Sequence, residues 1–233
     1  MRLCMFHPAE QPLERGWVGR IDGEHVTQLA AQTLQSFFTG GGGAREHAVY
    51  PLAAVQLVAP VLHPPSVRVF SDQATFEFAN PAAICSPNAS VRAPQNERSP
   101  GALVVLARVA GVVGADGRIA GFTLLAEWCD QRLDPPKDRD FALGLGPVVV
   151  TADELDPDGL EVAVRVDGDE RAQGRVDGFD WTAARDFAAA GTRLYPGDLI
   201  AGPALEPVEV EPGTAVELDV PAIGALAQTV TRA

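Results

Sequence analysis

The chain predicts a β-rich α+β fold, and three observations carry that prediction. Long apolar runs rich in Val and Leu, Leu103–Val113 and Ile119–Leu125, have the character of strands buried on both faces. Gly and Pro are abundant, at 23 and 19 of 233 residues, and punctuate the apolar runs as turns. Only two short stretches have helical spacing, Gln28–Phe38 and Asp180–Ala190.

Taken in order, Arg2–Phe6 is a short apolar strand. Gly16–Ile21 and Glu24–Thr27 flank Asp22-Gly23, a two-residue hairpin signal. In Gln28–Phe38 the apolar residues Leu29, Ala30, Leu34, Phe37 and Phe38 fall on one helical face, and Gly40–Gly43 then breaks the helix. No Lys-Ser/Thr pair follows those glycines, so they make a flexible loop and not a phosphate cradle. Tyr50–Pro65 is strand and linker, and it sets a boundary between a small domain over 1–60 and a main domain over 61–233. Ser66–Gln73 is expected to form a helical turn, and Thr75–Phe78 a short strand. Leu160–Val166 alternates strictly, turns at Asp167-Gly168-Asp169 and returns along Arg171–Val176. Asp180 can cap a helix that turns Trp181, Ala184, Phe187 and Ala188 inward and ends at Gly191.

Composition bounds the function classes. A net charge of −13, from 18 basic and 31 acidic residues, repels polyanions and excludes nucleic acid as a partner. The three cysteines, Cys4, Cys85 and Cys129, form neither a metal motif nor a disulfide framework. No apolar run is long enough to span a bilayer, and the first residues carry no secretory pattern, so a cytoplasmic location without membrane contact is expected.

The polar segment Glu127–Asp140 follows two buried runs, as residues at a pocket edge do. Glu127 is either an acid or base in such a pocket or a strand-end carboxylate paired with Arg132 or Lys137. Lys137 and Arg132 are either an anion clamp or loop charges. Asp140 is expected to hydrogen-bond its own loop. Cys129 sits among acids, which raise a thiol's pKa, so it is expected to be inert.

The pieces F-E-F-A-N-P-A-A-I, G-F-T-L-L-A-E-W, K-D-R-D-F-A-L-G-L-G-P-V-V-V-T and Y-P-G-D-L-I-A, in that order, resemble the fumarylacetoacetate hydrolase family. So do V-G-R-I-D-G near the start, L-V-A-P-V-L-H-P-P-S at the boundary and V-E-P-G-T-A-V-E-L-D-V-P-A-I-G-A-L near the end. The resemblance implies a mixed β-roll of the C-terminal domain type with a small N-terminal domain, and a homodimer. It implies hydrolysis, decarboxylation or isomerisation of small anionic oxo-acids, with Mg²⁺ or Mn²⁺ held on carboxylates. Residue by residue the family pattern is depleted. The positions matched to the metal-binding E-x-E are Pro100 and Ala102, and Glu127 alone stands at the third acid. A single carboxylate is a poor divalent site, so no tightly bound metal is expected. The segment that carries the family's catalytic histidine shrinks to Ser71–Thr75. The resemblance leaves Glu127 and Lys137 as catalytic candidates, with Arg132, Gln131 and Asp140 as substrate-binding candidates. Three readings follow, of which the first two are an enzyme diverged from the metal mechanism and a non-catalytic binding or assembly protein. An ordinary metal-dependent acylpyruvate hydrolase is the third.

Overall fold

The computed structural model describes residues 1–94 and 103–232. Among these residues the chain forms two sheets and two short α-helices. Successive neighbours in the main sheet are Glu46–Pro51, His25–Leu29, Trp17–Asp22, Arg2–Pro8, Leu143–Thr151, Ile119–Asp130, Leu103–Val113, Leu199–Ala201, Val67–Asp72 and Thr75–Ala79. Short strands Val55–Val58, Ile84–Cys85 and Val208–Val210 pair alongside this path. The second sheet runs Asp169–Val176, Leu160–Val166, Ala215–Val220, Gly224–Thr231, Ser90–Arg92. Most pairs are antiparallel, but Leu199–Ala201 with Val67–Asp72 and Gly224–Thr231 with Ser90–Arg92 are parallel, so both sheets are mixed.

The central strands bury both faces, which is why they read as unbroken apolar runs. Leu124, Ala126 and Trp128 enter one core with Val148, Val164, Leu218 and Leu226, between the two sheets. Leu125 enters the other with Leu3, Met5, Leu143, Leu145 and Val149, beneath the helix Leu34–Thr39. Alternation along the pleat sends neighbouring residues to opposite cores.

The first strand pairs directly with the middle of the main sheet, Arg2 opposite Val150 and Leu3 opposite Val149. The expected boundary at residue 60 is therefore not a break between sheets; the N-terminal strands extend the same one. Three local expectations change. The first helix spans only Leu34–Thr39, because Leu29 pairs with Glu46 in the sheet and Thr33 provides the cap. The segment expected as a helical turn at Ser66–Gln73 is the strand Val67–Asp72. Its alternate residues Val67 and Val69 fill the second core, and sheet pairing overrides the local pattern. Phe187 of helix Trp181–Ala189 is 44% exposed instead of inward. The Asp180 cap is as expected, accepting from the Thr182 and Ala183 amides, each at 2.9 Å. The hairpin at Asp167-Gly168 is also as expected; both residues have positive φ, 53° and 87°, as a tight turn requires.

The Gln228 amide ties the two sheets across the apolar core. Trp128 Nε1 donates to Gln228 Oε1 at 2.8 Å, and Gln228 Nε2 reaches Cys85 Sγ at 3.1 Å. Gly144 leaves room for that amide, since a Cβ there would collide with it. Gln228→Leu is expected to strand the buried indole N–H and lower the unfolding free energy by about 1–3 kcal/mol, read from urea denaturation. Gly144→Ala is expected to destabilise through the same contact.

Candidate functional site

Glu127 and Arg108 face each other across the two longest strands. In this antiparallel pair Leu106 stands opposite Glu127, and Arg108 opposite Leu125. The side chains of 106, 108, 125 and 127 therefore share one face of the sheet. Glu127 is 1% exposed and Arg108 is 7% exposed. Arg108 Nε donates to Glu127 Oε2 at 2.8 Å. Its Nη1 donates to two backbone carbonyls from distant segments, Phe70 at 2.9 Å and Gly202 at 2.8 Å. Burial pushes the Arg108 pKa down, and the Glu127 carboxylate opposes that shift.

On the outer side of Glu127, Arg139 Nη1 lies 3.7 Å from Oε1. The same nitrogen reaches Glu77 Oε2 at 3.4 Å, while Arg139 Nε donates to Asp138 Oδ2 at 3.0 Å. Partial burial lowers the Arg139 pKa, but the bond it donates to Asp138 and the charges of Glu127 and Asp138 outweigh that and leave the pKa raised. Asp138 is buried, and its Oδ1 has no hydrogen-bond partner among the described residues. Arg139, Asp138 and Glu77 line a cleft of about 490 Å³ together with Phe78, Asn80 and Asp140. Phe78 is 68% exposed on the cleft wall. Asn80 Nδ2 donates to the Asp140 carbonyl at 2.9 Å and fixes the loop against the hairpin.

The sequence-level candidates are only partly brought together. Glu127 is at the centre of the cluster, but its partners are Arg108 and Arg139, not Arg132 or Lys137. Arg132 grips Asp130 through Nε at 2.7 Å and Nη2 at 2.7 Å, and that grip holds the Asp130 pKa down. Lys137 is turned outward, its side chain 73% exposed, with Nζ 2.6 Å from Asp140 Oδ2. Gln131 is exposed in the turn after the strand. The Asp140 carboxylate accepts from Lys137 Nζ and not from its own loop backbone, and Asp140 also borders the cleft. The Cys129 pKa is pushed up to about 11, by burial first and then by the Asp138 charge, as expected for an inert thiol.

Arg108 and Arg139 escaped the sequence reading. In the sequence Arg108 is the one charge inside the apolar run Leu103–Val113. A charge at that position is a signal, because an isolated buried charge is too costly to leave unpaired. Arg139 was hidden in the K-D-R-D turn, where spacing does not say which cation faces inward.

The segment between Phe70 and Phe76 is a tight hairpin, with Asp72 paired to Thr75 and the Asp72 carboxylate accepting the Ala74 amide at 2.9 Å. The hairpin tip is bonded to the second helix, through Gln73 Nε2 to the Asp180 carbonyl and the Asp180 amide back to Gln73 Oε1.

A divalent ion fits this donor set badly. Pro100 and Ala102, matched above to metal-binding positions, lie outside the described residues. In the observed register, the positions that share a face with Glu127 on the paired strand are 106 and 108, held by a leucine and an arginine. Among the described residues no three His, Cys, Asp or Glu side chains cluster in a way that could hold a metal. Glu127 is paired to a guanidinium, so a hard cation there would meet one carboxylate and a fixed positive charge.

No curated protein matches the sequence. Solved structures match over the full chain. Maleylpyruvate hydrolase from Sphingobium sp. SYK-6 has a TM-score of 0.86 at 20% identity, covering 100% of both chains. A second structure of that enzyme, at 21% identity and a TM-score of 0.85, is a complex with manganese(II) and pyruvate and covers 100% of this chain and 99% of that one. 2-hydroxyhepta-2,4-diene-1,7-dioate isomerase from Mycobacterium marinum has a TM-score of 0.81 at 21% identity, covering 100% of this chain and 98% of that one. At these identities the likeness establishes the fold, the mixed β-roll expected from the sequence. The family description "Fumarylacetoacetate (FAA) hydrolase C-terminal" matches residues 52–231, and the chain belongs to the fumarylacetoacetate hydrolase family.

Proposed function

We propose that this protein is an enzyme acting on a small oxo-acid in the cleft beside Arg139, without a tightly bound metal. One observation carries the reading: a buried carboxylate, Glu127, lies directly behind a cation that forms the cleft wall. Arg139 is the natural clamp for the substrate's carboxylate, since a guanidinium binds carboxylates through paired hydrogen bonds. Its competing partner Glu77 is 73% exposed and weakly placed at 3.4 Å, so a substrate carboxylate can displace it. Arg108 holds Glu127 Oε2, which leaves Oε1, on the Arg139 side, as the oxygen that takes or returns a proton. That arrangement suits proton transfer next to a carbonyl, the step shared by isomerisation and decarboxylation of oxo-acids. It suits C–C hydrolysis less well, because the short hairpin at Ser71–Thr75 contains no histidine to activate water. The homodimer implied by the family is part of the reading. A second reading, a non-catalytic ligand-binding protein, is favoured by the near-complete burial of Glu127.

Exchange of solvent deuterium into the methyl group of pyruvate, followed by proton NMR with EDTA present, tests the reading. Exchange above the buffer rate that disappears in Glu127→Gln is expected. Binding without exchange, across pyruvate, oxaloacetate and an acylpyruvate, moves the protein to the second reading. Exchange that needs added Mg²⁺ or Mn²⁺ restores the ordinary metal-dependent hydrolase.

Arg139→Ala is expected to lower kcat/KM about 10- to 100-fold, since a hydrogen bond to a charged group contributes about 1.5–3 kcal/mol. Lys137→Ala, which removes an exposed ammonium, is expected to change it less than about 3-fold, as for weak surface ion pairs.

A further inference from the structure

We propose that the Arg108 guanidinium is a resident cation that occupies the ion position of the Glu127 site and closes it to divalent metals. The inference rests on reading Glu127 as the site's buried acid, and it concerns what that acid is paired with. Three oxygens from three separate segments converge on one guanidinium: Glu127 Oε2 at 2.8 Å, the Phe70 carbonyl at 2.9 Å and the Gly202 carbonyl at 2.8 Å. Convergent carboxylate and carbonyl oxygens are what a hard cation requires. Here the charge they surround belongs to the chain.

Arg108 cannot easily leave. It is 7% exposed and lies in the middle of an eleven-residue strand, and its departure would strand a buried carboxylate and two carbonyls. A divalent ion cannot easily enter beside it, because like charges a few ångströms apart in a dry site repel strongly. The remaining donors of the guanidinium are the two N–H groups of Nη2, which have no partner among the described residues. A ligand at this site would therefore meet hydrogen-bond donors in place of an open coordination sphere. The ion position is closed by one side chain, so one substitution should open it. Arg108→Glu keeps the three oxygens and adds a second carboxylate.

The test is Mn²⁺ titration of chelator-treated, full-length protein without substrate, reading free Mn²⁺ by electron paramagnetic resonance. Wild type is expected to hold no Mn²⁺ more tightly than about millimolar, the weak end for oxygen sites, and Arg108→Glu to bind one ion at least about 100-fold more tightly. Glu127→Gln added to Arg108→Glu is expected to abolish the gain, and Mn²⁺ is expected to raise the Tm of Arg108→Glu but not of wild type. If Arg108→Glu does not fold, Arg108→Gln takes its place, with a gain of about 10-fold expected from removing one charge. A wild-type protein that binds one Mn²⁺ tightly and loses it in Glu127→Gln overturns the inference. So does a folded Arg108 variant with no gain. Because the titration uses no substrate, it can fail while the deuterium exchange succeeds, or succeed while the exchange fails.

Discussion

The antiparallel pairing of Leu103–Val113 with Ile119–Asp130 is the constraint on which the rest of the molecule depends. These strands separate the two cores, so each must be apolar on both faces. Within that apolar pair, register puts one arginine and one glutamate on the same face, two residues apart across the ladder. Neither charge could be buried there alone; the desolvation cost of Arg108 is offset by Glu127 and the carbonyls of Phe70 and Gly202, and that of Glu127 by Arg108 with Arg139 beyond it. The ion pair thus pins the edge hairpin Val67–Ala79 and the segment after Leu199–Ala201 to the centre of the sheet. It organises the surrounding packing as well as being the centre of the site.

Around this fixed centre the charges form layers of increasing exposure. Arg108 and Glu127 are buried, Arg139 is partly exposed, and Glu77 is mostly in solvent. Charge alternates along the row from Arg108 to Glu127, Arg139 and Glu77. In the proposed reading an anionic ligand takes the outer end of this row, where Glu77 is the partner most easily replaced. Phe78 and Asn80, on the hairpin and the turn that follows it, supply an apolar wall and a loop anchor beside it.

The family match fixes the fold, while the charges on its central strands are this chain's own. The fold is shared with a maleylpyruvate hydrolase whose structure holds manganese(II) and pyruvate. In this chain the side chain that reaches Glu127 from the paired strand, two positions along the ladder, is a cation. A fold can keep its strands while the charges placed on them change, because strand pairing depends on backbone and apolar burial and is indifferent to which polar residue fills one inward position.

The fold was legible in the sequence because it is written in patterns that act locally. Apolar runs flagged doubly buried strands, Asp167-Gly168 flagged a turn that needs positive φ, and Asp180 flagged a helix cap. Glu127 was legible only as either a pocket acid or a strand-end carboxylate, and it is the burial in the folded sheet that turns it inward. Its partners were not legible. Arg132 and Lys137 are near Glu127 in sequence, yet the pleat and the loop turn them to Asp130 and Asp140. Arg108 is nineteen residues away and Arg139 is the third residue of a four-residue turn. The sequence by itself determined which stretches form doubly buried strands and which residues carry charge. Only the tertiary structure decided which charges meet, because strand register and the path of a loop are set by packing across the whole sheet and not by spacing along the chain.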